Sequence, residues 1–76
     1  MKITVNKEEI FNSYGSTMAI SSTVSGYTLA YSVDGENWTQ YKDVIPAGEN
    51  CVVTDLVVGM YFKLIGNTSD GVIIKF

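Results

Sequence analysis

Few side chains in this sequence can do chemistry, and their spacing limits what that chemistry could be. There are eight acidic residues, five lysines, one cysteine and no histidine. Asp34, Glu36, Asp43, Glu49 and Asp55 are the carboxylates to weigh for calcium, which takes roughly six to eight closely spaced oxygen ligands. None stands in a D-x-D-x-D-G arrangement. They read as solvated turn acids, with Asp34 and Glu36 the only pair worth testing. Glycoside hydrolysis needs two carboxylates facing each other across a cleft, one with a raised pKa. A sandwich built from 76 residues leaves little room for one. Cys51 lies in the apolar run N-C-V-V-T with no base beside it, so it reads as a small buried side chain rather than a nucleophile. No catalytic constellation, metal site or cofactor is expected, and the chain is read as non-enzymatic.

Binding surfaces offer more. Tyr14, Tyr27, Tyr31, Trp38, Tyr41 and Tyr61 form a large aromatic set for so short a chain, and exposed aromatics stack on sugar faces and anchor protein interfaces. Most of them should be core or rim. Trp38 and Tyr41, if exposed together, would make a carbohydrate platform. Val57 and Val58 are apolar where a connecting turn is expected to be polar. Phe76 ends a run, I-I-K-F, that must be buried or docked on a partner, because an unguarded edge strand invites pairing with another chain. Val57, Val58, Phe76 and Tyr14 are therefore the candidate interface residues.

These side chains must be held by strands. Asp34-Gly35 between two aromatic and β-branched runs, in Y-S-V-D-G-E-N-W, is a strong hairpin signal. A two-residue loop would pair Tyr31 with Trp38. A three-residue loop with Gly35 in a left-handed bulge would pair Ala30 with Trp38, setting a large ring over a small residue. In either case Trp38 is expected to bury the largest single area, near Leu29 and Tyr31. Alternation places further strands at residues 2–6, 17–23, 50–54, 60–65 and 72–76, while residues 8–14 read as a short strand or an irregular link. Pro46 to Glu49 and Asn67 to Gly71 read as turns. Turns recurring every ~8–12 residues indicate a sandwich or small barrel. The expectation is one all-β domain over residues 1–76, an antiparallel sandwich of about seven strands.

Composition narrows the classes further. One cysteine and no histidine exclude an internal disulfide and leave too few soft ligands for structural zinc. Stability then rests on core quality, and 46% hydrophobic residues is rich for this length. With a net charge of -3, no arginine and lysines spread singly, nucleic acid is not an expected partner. No segment approaches the ~20 apolar residues of a membrane span. The start, M-K-I-T-V-N-K-E-E, lacks the apolar stretch of a signal peptide, so synthesis in a cytoplasm is expected.

The pattern Leu56, Gly59 and then M-Y-F-K-L-I resembles that of fibronectin type III and other immunoglobulin-like sandwiches, over residues 27–76. The corner tyrosine of those modules would fall at Phe62, with Tyr61 one position away. The stretch S-V-D-G-E-N-W is similar to the Asp-box of sialidase-like propellers, itself a structural turn, with Gly and Trp each one residue early. Small, acidic, free-standing immunoglobulin-like domains resemble accessory virion proteins of tailed phages. That resemblance implies a capsid-decorating or head-fibre protein, made in the host cytoplasm and located in the virion. Its partner would be a protein lattice such as a major capsid protein, or further copies of itself. A small carbohydrate-binding or adhesion module is the alternative, with a glycan as its ligand.

Overall fold

Period-two alternation of apolar residues carries the strands. In the computed structural model, which describes residues 1–76, they are β1 (Lys2–Val5), β2 (Phe11–Asn12), β3 (Met18–Ile20), β4 (Thr28–Ser32), β5 (Thr39–Gln40), β6 (Cys51–Val53), β7 (Tyr61–Ile65) and β8 (Val72–Lys75). Phe62 and Leu64 on β7, Val72 and Ile74 on β8, and Cys51 and Val53 on β6 all point inward, while their neighbours face out. β2 is the short strand within residues 8–14. Only Phe11 and Asn12 pair with β7, and the Phe11 and Phe62 rings stack 5.8 Å apart.

Two four-stranded antiparallel sheets result, ordered β1-β8-β3-β6 and β2-β7-β4-β5. The all-β antiparallel sandwich is present, with eight strands. Its connectivity is specific. The first strand pairs with the last, the second with the next to last, and so inward to the β4–β5 hairpin. Contacts of β8 with β3 and of β7 with β4 close this rolled hairpin into two layers. Such wrapping is the double-sheet jelly roll. In an immunoglobulin domain the final two strands lie side by side in one sheet. Here β7 and β8 lie in opposite sheets.

Between the layers sits one core, including Val5, Phe11, Met18, Ile20, Tyr27, Leu29, Val53, Phe62, Leu64 and Ile74. Tyr27, not Trp38, is the largest fully buried side chain. The hairpin register explains the difference. β4 and β5 pair Tyr31 with Thr39 and Ala30 with Gln40. Neither pairing considered for Trp38 occurs, because residues 33–38 form a longer loop than a tight turn. Alternation then places Trp38 on the outer face with Ala30 and Gln40, away from Leu29 and Tyr31, and its ring is half-buried beneath the Lys63 ammonium, 4.2 Å from the ring centre.

Candidate functional site

Hydrogen bonds and one ring contact link the segments that carry the four candidate interface residues. After β2, Ser13 is 2% exposed, and its Oγ donates a hydrogen bond to the Val57 carbonyl (2.7 Å). The Gly59 amide donates to the Ser13 carbonyl (3.0 Å), the Ser13 amide to the Met60 carbonyl (3.0 Å), and the Asn12 side-chain amide to the Gly59 carbonyl (3.1 Å). Residues 57–60 form a turn closed by the Met60 amide on the Val57 carbonyl, with Gly59 at φ +92°. That left-handed position is where a type II turn requires glycine. Val57 and Val58 are thus held at the tip, 68% and 66% exposed.

Tyr14 directly follows the buried Ser13 and is itself 60% exposed. Its ring meets Phe76 edge to face at 5.2 Å, a favoured aromatic geometry. The Phe76 amide donates to the Met1 carbonyl (2.8 Å), which adds the exposed Met1 to the same end. Phe76 is half-buried against the core. So Tyr14 and Phe76 touch, and the Val57–Val58 turn is tied by hydrogen bonds to the residue before Tyr14. The sequence pointed to these four residues one by one. It did not point to Ser13 or Met1, because a serine in N-S-Y-G looks like any loop residue until its hydroxyl finds a carbonyl 44 positions away.

At the hairpin loop the polar groups are consumed internally. Asp34 Oδ1 accepts from the amides of Glu36 and Asn37 (both 2.8 Å) and from the Ser32 hydroxyl (2.8 Å), while Oδ2 accepts from the Asn37 side chain (2.7 Å). The Ser32 hydroxyl in turn accepts from the Gly35 amide at 2.9 Å. Hydrogen bonds from the Asn37 and Glu36 amides, then from the Asn37 side chain and Ser32, hold the Asp34 carboxyl well below the usual carboxylate range. Its oxygens cap a turn, Glu36 stays exposed, and no three acidic, cysteine or histidine side chains come together as a metal cluster. Asp43 and Glu49 are exposed in the β5–β6 connection.

Trp38 and Tyr41 do not share a platform. The Tyr41 amide bonds to the Leu29 carbonyl, which sets Tyr41 inward against the core edge while Trp38 faces out. Cys51 is buried, as the sequence reading expects. Burial pushes its thiol up, and the nearby Lys42 works in the opposite direction. Tyr27 is 1% exposed and its hydroxyl has no hydrogen-bond partner; desolvation pushes it up to about 12. No family model matches this chain, and no curated protein or solved structure shows significant similarity to it.

Proposed function

We propose that this chain is a non-enzymatic interaction protein, an accessory virion component that decorates a capsid or forms part of a head fibre of a tailed phage. It docks through the end of the sandwich that carries Tyr14, Val57, Val58 and Phe76. The observation that supports this reading is two highly exposed valines on a turn tied by a buried serine to the segment where the exposed Tyr14 meets the half-buried Phe76. Large apolar side chains left exposed near one another are a mark of a protein contact site. Two-sheet jelly rolls also recur in viral capsid and lectin domains, an analogy of fold and not of site. Docking on a repeated shell tolerates modest affinity per copy, because neighbouring copies supply avidity.

The test is light scattering of the purified protein alone and mixed with capsid shells. The expected result is a species that moves onto particles and loses that shift when Val57 and Val58 are both changed to Ser. A protein that ignores particles overturns the reading. Glycan binding lost on Trp38→Ala would instead favour the carbohydrate module.

A further inference from the structure

A cleft opens between the two sheets on the side where β5 and β6 leave the sandwich uncovered. Phe62 and Val53 line it with Tyr31, Tyr41, Leu56 and Met60, all packed at the margin of the core. Asp55, exposed and turned by a left-handed backbone (φ +59°), is the only charged residue lining it. The cavity measures about 240 Å³. That lies below the roughly 300–1,000 Å³ of sites for drug-sized ligands, so a small head group is the scale that fits.

We propose that this cleft binds a small quaternary ammonium compound. Two phenol rings, a thioether and one carboxylate, in a wall whose only other polar side chain is Thr54, complement a cation that is methyl-coated and poorly hydrated. A quaternary ammonium gains from the ring and thioether contacts without requiring the hydrogen bonds that a primary ammonium must make. Lys42 Nζ sits 5.3 Å from the Tyr41 ring centre but does not line the cleft, which leaves Asp55 as the charge that faces a ligand there. The cleft adjoins the Val57–Met60 turn of the protein contact proposed above and shares Met60 with it, but the proposal does not depend on that reading.

Choline and its neutral carbon isostere, 3,3-dimethylbutan-1-ol, would be titrated into the intact protein at low ionic strength, following the ring resonances of Tyr31 and Tyr41 by NMR. Choline should bind about tenfold more tightly than the isostere, the range a desolvated cation–π contact gives. Asp55→Asn should abolish most of that preference while keeping the fold, because Asn tolerates the left-handed backbone, and an unchanged amide spectrum would verify the fold. Equal binding of the two probes, no saturable shift with choline, or an undiminished preference in folded Asp55→Asn would each overturn the proposal.

Discussion

The Tyr27 hydroxyl is enclosed and unpartnered, so the folded state carries a polar group without compensation. Replacing Tyr27 with Phe should leave stability unchanged or raise it by about 1 kcal/mol at neutral pH, read from urea unfolding. Because burial lifts the phenol from 10.0 to about 12, the folded state favours its neutral form. The resulting penalty on folding, on the order of 2–3 kcal/mol, is absent below pH 10 and develops as pH rises through 12. The Phe variant should lack that alkaline loss. Asp34 works in the opposite direction. Its folded pKa is depressed, so its contribution is present above the unfolded value of about 4 and is lost as pH falls through the lower folded one. Asp34→Ala should lower the denaturant midpoint at neutral pH and flatten the acid limb of a stability–pH profile. At this scale the sequence was legible where a residue acts on near neighbours: the D-G turn acid and the buried cysteine were both readable. Trp38 was not, because its burial hangs on a register set by side-chain hydrogen bonds within the loop.

Among the elements, the loops after β2 and β6 act as one unit, since Ser13 supplies both its hydroxyl and its backbone to the Val57–Met60 turn. Ser13→Ala removes a part-buried hydrogen bond and should cost about 1 kcal/mol. More tellingly, it should speed hydrogen exchange at the Gly59 amide, which bonds to the Ser13 carbonyl. Unchanged protection there would mean that the turn stands without Ser13. The longer strands were legible from the sequence, β7 most clearly. β2 was only half legible, because two residues cannot express a period. It is a strand because β7 offers it a partner, with Phe62 opposite Phe11.

Across the whole molecule, stability and docking are expected to separate. Val57 and Val58 are mostly exposed, so the double change to Ser that removes particle binding should shift the unfolding free energy by no more than about 0.5 kcal/mol per site. A large loss of stability would mean that the turn plugs the core and is not a free surface. The lack of a staple is offset by one continuous core between the sheets, as the hydrophobic content suggested. By itself the sequence determined the all-β class, most strand positions and the exposed apolar residues Tyr14, Val57 and Val58, because alternation, turn chemistry and composition act over a few residues. Only the tertiary structure decided that the strands wrap first to last into a jelly roll, that Trp38 faces outward, that Tyr14 touches Phe76, and that Ser13 ties the Val57–Val58 turn to the residue before Tyr14. Those outcomes depend on which distant strands pair, and strands with the same alternation suit several pairings until the buried faces of both sheets close on one another.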